Sequence, residues 1–330
     1  MTNTHVLVTG AGGAAGVAVI RSLLRRNDIT VFAADMDGWA SGLYLVPAER
    51  RRIVPPGADE SFVPALKQLV AADRLDIVIS TVDVELLAVA SRRAELEPAV
   101  LAAPSQQTLQ VALDKLALAA ACESTGRAPR TVLAGPDALS IDWEFPVFAK
   151  PRSGAGSRGI RMVPDRTALE QLPTNEGLIV QDLLPGDEYS VDVLADAAGH
   201  VIAAVPRTRA RVDSGVAIAG QTVRDRELEE TAAAVAEAIG LVGVANVQLR
   251  RDRNGRAMLL EVNPRFPGAL PLTIAAGVDI PSLVVDLYLG AELPRMIDFQ
   301  EVANVRFLED VFVDVHEVLV SAQAASRDEL

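Results

Sequence analysis

Within the first hundred residues, four short β-branched runs, His5 to Thr9, Thr30 to Asp35, Asp76 to Thr81 and Ala99 to Ala102, alternate with helical patterns near 14 to 26, 60 to 72 and 84 to 95. Strands separated by crossover helices pair in parallel, so residues 1–104 are predicted to form a Rossmann-like parallel sheet wrapped by helices. From about Pro104 the rhythm changes. Two short helices fall within 105–123, and a stretch of strands and hairpin turns then runs to about 263, broken by one strong helix at 225–239. A helix at 281–289 precedes an expected strand and a charged helix in the tail. The fold class is therefore α/β followed by α+β.

Composition excludes several classes. With 330 residues, half of them apolar, the chain buries enough surface to offset backbone entropy, so disorder and low-complexity readings fail. No run of 18 apolar residues is present, and the start MTNTHVLVTG lacks a basic region and a cleavage site. No membrane association is expected, and the expected compartment is the cytoplasm. The final Arg-Asp-Glu-Leu, without a secretory segment, is read as chance. A lone Cys122 makes neither an internal disulfide nor a cysteine cluster, and a net charge of -13 argues against a nucleic-acid partner. Among 31 basic residues only Lys67, Lys115 and Lys150 are lysines. A lysine that persists against such an arginine bias is a candidate for a task arginine cannot perform.

Three segments carry chemistry. Thr9-Gly10-Ala11-Gly12-Gly13-Ala14-Ala15-Gly16 puts glycines between the first strand and the first helix. One reading is a dinucleotide site, with Asp35 on a ribose hydroxyl; the other is a tight strand-to-helix turn. A short-chain oxidoreductase would also need Tyr-x-x-x-Lys, and none of Tyr44, Tyr189 and Tyr288 has a lysine four residues on. The second segment, Phe145 to Ile160, has a strand ending at Lys150 and a Gly/Ser loop whose amides could fold over phosphates beside the ammonium. It is not a Walker A loop, because no helix follows and the motif is absent.

The third runs from Val244 to Arg265. Asn254-Gly255 between alternating runs predicts a two-residue hairpin, with Arg253 opposite Arg256, Gln248 opposite Glu261 and Asn246 opposite Asn263. Asn246, Gln248, Glu261 and Asn263 then share one face, and Ala245, Val247, Leu249, Met258, Leu260 and Val262 the other. An oxygen-rich face of this kind suits Mg²⁺, which takes one or two protein groups plus phosphates, and Arg265 beyond Pro264 could hold a phosphoryl group.

Taken together, Asp114-Lys115, Lys150, the Gly/Ser loop, Gln181-Asp182-Leu183-Leu184-Pro185-Gly186-Asp187-Glu188 and Gln248…Glu261-Val262-Asn263-Pro264-Arg265 resemble the ATP-grasp superfamily, in its carbamoyl-phosphate-synthase-like branch. The resemblance spans about residues 1 to 290. It implies a preATP-grasp domain over 1–104 and an ATP-grasp domain over 105–295, with linker helices at 105–125, a lid at about 128–180 and a C-terminal subdomain at about 181–295. The tail, 296–330, is expected to pack on the ATP-grasp domain.

The resemblance also implies residue roles. Lys115 and Lys150 would contact ATP phosphates, and the loop 153–159, with Ser153, Gly154, Gly156 and Ser157, would close over them. Gln181, Asp182, Leu183 and Leu184 would form the hinge that meets the adenine, and Glu188 would hold the ribose. Gln248, Glu261 and Asn263 would bind Mg²⁺, or Mn²⁺ in its place, and Arg265 would stabilise the transferring phosphoryl group. Arg207, Arg209, Gly215 and Gly220 would face the acceptor. Asp182 stands where Glu is common and Gln248 where a second acid is common. Asp83 and Glu85 have two readings, a place in the cleft or a helix N-terminus.

The implied activity is ATP-dependent joining of a small carboxylate to an amine or a thiol through an acyl phosphate. One synthase-like half and no glutaminase segment argue against making carbamoyl phosphate. The rivals are a nicotinamide oxidoreductase, an ATP-grasp phosphotransferase and a non-catalytic nucleotide-binding module. A homodimer is what the resemblance suggests.

Overall fold

The structure is a computed structural model that describes residues 3–154, 159–213 and 216–321. Its first part contains β1 (Thr4–Thr9), α1 (Ala14–Leu23), β2 (Ile29–Asp35), β3 (Arg51–Ile53), α2 (Phe62–Asp73), β4 (Ile77–Ser80), α3 (Asp83–Ala90) and β5 (Val100–Leu101). The strands form one parallel sheet in the order β3-β2-β1-β4-β5. Alternation explains its burial on both sides. Val6, Val8, Val31, Ala33 and Ile79 pack on the α1 side, while Leu7, Phe32, Ala34 and Val78 pack against α2 and α3. β3 is absent from the sequence expectation because it is a three-residue edge strand with two arginines. Arg52 is anchored on Asp73 and Arg51 lies over the Tyr44 ring, so ionic and cation–π contacts replace the β-branched pattern.

Helices α4 (Gln106–Leu113) and α5 (Lys115–Ala121) follow, capped by Ser105 and Asp114 respectively. Next come β6 (Thr131–Leu133), α6 (Pro136–Ser140), β7 (Val147–Pro151), β8 (Arg161–Val163), α7 (Arg166–Glu170) and β9 (Leu178–Asp182). These strands make an antiparallel sheet, β6-β9-β7-β8, over a separate small core that includes Trp143, Val147, Ala149, Leu169 and Val180.

The third group is β10 (Glu188–Ala195), β11 (Val201–Thr208), β12 (Arg211–Asp213), β13 (Val216–Gln221), α8 (Arg226–Ala238), β14 (Gly243–Arg251), β15 (Ala257–Asn263), α9 (Leu270–Ala275), α10 (Ile280–Tyr288) and β16 (Ala303–Val305). The antiparallel sheet β11-β10-β14-β15 is central, and β12-β13-β16 forms a second small one. One face of the central sheet, with Val191, Val193, Ala245, Val247, Leu249 and Leu259, packs on α8. The other face is apolar only at one end, where Leu194, Ala203, Val205 and Val244 join the core of the first sheet and α10.

The β14–β15 hairpin departs from expectation twice. Its loop has three residues, 253–255, closed by the Asp252 N–H donating to the Arg256 carbonyl at 2.9 Å, with Gly255 at φ 78°. Leu260 then forms a bulge in β15, between the pairs Leu249–Leu259 and Gln248–Glu261. The extra loop residue and the bulge offset one another, so Gln248–Glu261 and Asn246–Asn263 stand opposite as the sequence predicts. The cost of the shift falls on the apolar positions. Ala257 and Leu259, not Met258 and Leu260, enter the core under α8.

The tail is also different. β16 pairs with β13, but no helix follows among the described residues; only a 3₁₀ turn at Val315–Glu317 is formed. The chain instead returns to the first sheet, where Glu309 meets Arg21, Glu317 meets Arg51 and the Leu319 N–H donates to the Tyr44 hydroxyl. These anchors hold it extended, leaving Phe307, Leu308 and Phe312 exposed.

Candidate active site

Strand alternation builds the polar end of the central sheet. Glu188, Ser190 and Asp192 alternate on β10 with Tyr189, Val191 and Val193, and Ser190–Gln248, Asp192–Asn246, Gln248–Glu261 and Asn246–Asn263 are directly opposed pairs. Asp192 is fully buried and is the hub of this face. It accepts hydrogen bonds from Asn246 Nδ2 (2.7 Å), Thr273 Oγ1 (2.5 Å) and Arg207 Nη2 (3.2 Å). These bonds satisfy the buried carboxylate and fix the rotamer of Asn246 beside Asn263.

At the rim, Asn263 Nδ2 lies 3.4 Å from Glu261 Oε1, and Arg265 Nη2 lies 3.4 Å from Asn263 Oδ1. Arg265 Nε donates to Asp83 Oδ1 at 2.8 Å. Asp83 opens α3 of the first sheet, so the first part of the chain positions an arginine of the third. Glu85 does not face the cleft. It is buried, accepts hydrogen bonds from Thr9 Oγ1 (2.5 Å) and Ser80 Oγ (2.7 Å), and its carboxyl is pushed up by burial and by nearby Asp35. Neither acid caps α3, whose N-cap is Val82.

The two lysines come from the other side. Lys150 is the penultimate residue of β7 and is 6 % exposed, and its ammonium has no hydrogen bond or ion pair among the described residues. Burial, aided by the charge of Lys115, pushes its ammonium down to about 8, while Glu261 pulls the other way. Lys115 opens α5 and donates to the Gly154 carbonyl at 2.7 Å; burial lowers its pKa, and Glu261 and Asp114 oppose that. Asp114 caps α5 and accepts from Arg152, which holds its carboxyl below the usual range. Two desolvated ammonium groups, Lys150 from the small antiparallel sheet and Lys115 from α5, thus lie within electrostatic reach of the Glu261 carboxylate on the central sheet. Ser153 and Gly154 are exposed, whereas Gly156, Ser157 and Gly215 lie outside the described residues.

Other expectations are modified. Gln181 is buried, with Nε2 on Thr131 Oγ1 (2.8 Å) and its backbone in the ladder between β6 and β7. The Asp182 N–H donates to the Arg130 carbonyl, and its carboxylate pairs with the Arg130 guanidinium at 2.9 Å. Only Leu183 and Leu184, just past the strand, keep backbone N–H groups without an acceptor among the described residues. Glu188 pairs with Arg209 at 3.3 Å along a cleft of about 340 Å³ that Tyr189, Thr208 and Val212 also line. Arg207, expected to face an acceptor, is buried on Asp192 instead. Gly220 is a packing position, since a Cβ there would lie 2.5 Å from the Thr208 carbonyl oxygen.

The glycine-rich turn is likewise explained by packing. A Cβ on Gly16 would lie 2.2 Å from the Gly10 carbonyl oxygen, and the Asp35 carboxylate accepts the Gly12 N–H at 2.8 Å. Nothing in this turn supports the nicotinamide reading. The sequence reading missed Asp192 and Thr273. Asp192 carries a legible signal, an acid in the apolar run Val191 to Ala195 in phase with Glu188, whereas Thr273 meets it only through tertiary folding.

Residues 174–311 match the family model described as ATP-grasp in the biosynthetic pathway with Ter operon. The chain is 29% identical over 180 residues to the carbamoyl phosphate synthase large chain of Gemmatimonas aurantiaca, covering 48% of this chain and 16% of that relative. It therefore spans less than a fifth of that protein's length. The fold matches a biotin carboxylase from Campylobacter jejuni with TM-score 0.73 at 19% identity, over 88% of this chain and 72% of the other. It also matches N5-carboxyaminoimidazole synthetase from Staphylococcus aureus, with TM-score 0.70 at 17% identity, over 90% and 80%. The family match over residues 174–311 and the likeness to the carbamoyl phosphate synthase large chains show that the chain carries an ATP-grasp domain homologous to theirs, and the two solved structures share its fold.

Proposed function

We propose that the protein is an ATP-dependent carboxylate–amine ligase that works through an acyl phosphate. The observation that carries this reading is the convergence of Lys115 and Lys150 on Glu261. A desolvated lysine without an anionic partner of its own is poised for a ligand's negative charge, and phosphates supply it. Residues 1–104 are assigned as the preATP-grasp domain, 128–180 as the lid, and 181–295 as the second half of the nucleotide cleft.

In this reading the adenine meets the backbone of Leu183 and Leu184, and Lys115 and Lys150 hold the phosphates. Gln248, Glu261 and Asn263 fit Mg²⁺, because they give oxygen donors with a single acid and leave room for phosphate oxygens. When bound, the ion neutralises charge on the phosphates. Arg265, held by Asp83 and Asn263, points its guanidinium along the same rim. A substrate carboxylate oxygen attacks the γ-phosphorus as the bond to the bridging oxygen breaks, releasing ADP. An amine then attacks the acyl carbon, phosphate leaves, and the amine proton passes to solvent. The chain's own part is positioning and charge stabilisation.

The test is phosphate release by the pure protein with MgATP, hydroxylamine and a panel of amino acids and other small carboxylates. Stimulated release with hydroxamate formation is the expected result; ADP formation that no carboxylate stimulates would overturn it. Lys150→Met and Glu261→Gln should each lower turnover at least a hundredfold, about 2.7 kcal/mol or more in the barrier, while circular dichroism stays unchanged.

A further inference from the structure

β16 is an open edge of the sheet β12-β13-β16. The residues that flank it turn their backbone to β13: the Val302 carbonyl accepts the Thr222 N–H and the Arg306 N–H donates to the Ile218 carbonyl, each at 2.9 Å. Backbone direction alternates along an antiparallel strand, so Ala303 and Val305 aim their N–H and C=O groups away from the sheet. Proteins guard such edges with charge, proline or a bulge. The opposite edge is guarded, since β12 is Arg211-Val212-Asp213 and is exposed throughout. β16, Ala303-Asn304-Val305, carries no charge, and the adjacent Arg306 turns its Nη2 inward onto the Gly268 carbonyl at 2.7 Å. An apolar strip continues from this edge. Val305, Phe307, Leu308 and Phe312 are 80–98 % exposed, and Val311 and Val315 are exposed with them. Two phenylalanines offer roughly 300 Å², and the four aliphatic side chains bring the strip to on the order of 600 Å², more than monomers ordinarily leave bare in one patch. A standard interface needs about 800 Å² per copy, which the strip and the backbone edge together approach. The strip is also pinned: Glu309 on Arg21 and Glu317 on Arg51 hold it extended and neutralise two of its acids, so little ordering remains to oppose association.

We propose that this edge and strip bind a second copy of the chain, with β16 pairing antiparallel to its equivalent about a two-fold axis. The occupant must offer an unguarded extended strand flanked by apolar side chains, and the chain itself carries one. An antiparallel edge is self-complementary, so one patch satisfies both copies and the contact closes at two. The two β12-β13-β16 sheets then become one continuous sheet, and the strips cover each other. The assignment stands apart from the ligase reading, because none of these residues belongs to the nucleotide or metal positions.

The test is sedimentation equilibrium of the full chain from about 1 to 100 µM, where mass action separates monomer from dimer. A monomer–dimer equilibrium is the expected result. Val305→Lys puts a charge on the open edge, and Phe312→Asp puts one on the strip, well past the strand, where folding does not depend on it. Each should raise the dissociation constant about tenfold or more, with circular dichroism unchanged. Met162→Lys, a charge on an exposed residue of β8 at the edge of another sheet, should leave the constant as it was. Hydrogen exchange at the amides of Ala303 and Val305 should slow as protein concentration rises, because those two N–H groups gain acceptors only in the pair. A wild type that stays monomeric at the highest concentration overturns the proposal. So does a dimer that both Val305→Lys and Phe312→Asp leave intact, or one in which the Ala303 and Val305 amides exchange as fast as in the monomer.

Discussion

Lys150 shows how one side chain can oppose folding and serve binding. Its ammonium is held down to about 8 from an ordinary value near 10.5 because β7 delivers it into a buried cleft beside Lys115. Between those two values the folded chain binds fewer protons than the unfolded one, so stability contributed at this position rises with pH across the window. Below about 8 both states are protonated, and the folded state bears the full penalty, on the order of 3 kcal/mol. Lys150→Met should therefore make the ligand-free protein more stable than wild type at pH 7, with the difference shrinking toward pH 10. Denaturant titrations at both pH values measure it, and a variant less stable at pH 7 would contradict the account. Phosphate binding works in the other direction. Nucleotide affinity of the wild type should weaken above pH 8 as Lys150 loses its proton.

At the scale of elements, the parallel sheet was legible because β-branched runs and helical periods are local signals. The edge strand β3 was not, since three residues held by Arg51 and Arg52 contacts carry no apolar alternation. The β14–β15 register was read correctly although the turn was not, because the Leu260 bulge restores what the three-residue loop shifts. A bulge has no composition signal; only the pairing reveals it. Of the candidate site residues on strands, Gln248, Glu261 and Asn263 fell where alternation puts them and Arg207 and Gly220 turned to packing instead, while the partners of Arg207 and Arg265 came from elsewhere in the sequence and could not be read from spacing. The glycine turn between β1 and α1 shows the same limit, for its motif fits a cofactor loop and its packing explains it. Gly16→Ala forces a Cβ against the Gly10 carbonyl and should cost about 1–3 kcal/mol of stability. The MgATP affinity of the folded fraction should not change. Loss of nucleotide binding without loss of stability would show instead that this turn touches a ligand.

Across the whole molecule, the distribution of cores decides which parts open together. The first sheet, α1, α10 and the apolar end of the central sheet share one continuous cluster, from Val6 through Val205 to Phe299. Parts that share a core lose it together, so 1–104 and the central sheet should unfold as one cooperative unit. The small sheet β6-β9-β7-β8 differs, since its cluster of buried residues draws only on positions 134–180. Among the described residues its ties to the rest include the Lys115 N–H on the Arg152 carbonyl, Lys115 Nζ on the Gly154 carbonyl, Arg152 on Asp114, and Arg253 on Glu144, all of them polar. An element with little shared apolar surface opens at lower free energy than the molecule unfolds. In the proposed function such opening lets a nucleotide enter between Lys150 and Glu261 and lets product leave. Hydrogen exchange should therefore find the amides of β7 and β9 protected well below those of β1, β4, β10 and β14, which exchange only through global unfolding. On the proposed site, where MgATP would bridge Lys115 and Lys150 to Gln248, Glu261 and Asn263, the nucleotide should slow exchange in β7 and β9 far more than in β1. Uniform protection across all three sheets without ligand, or an MgATP effect confined to the first sheet, would refute this division of the molecule.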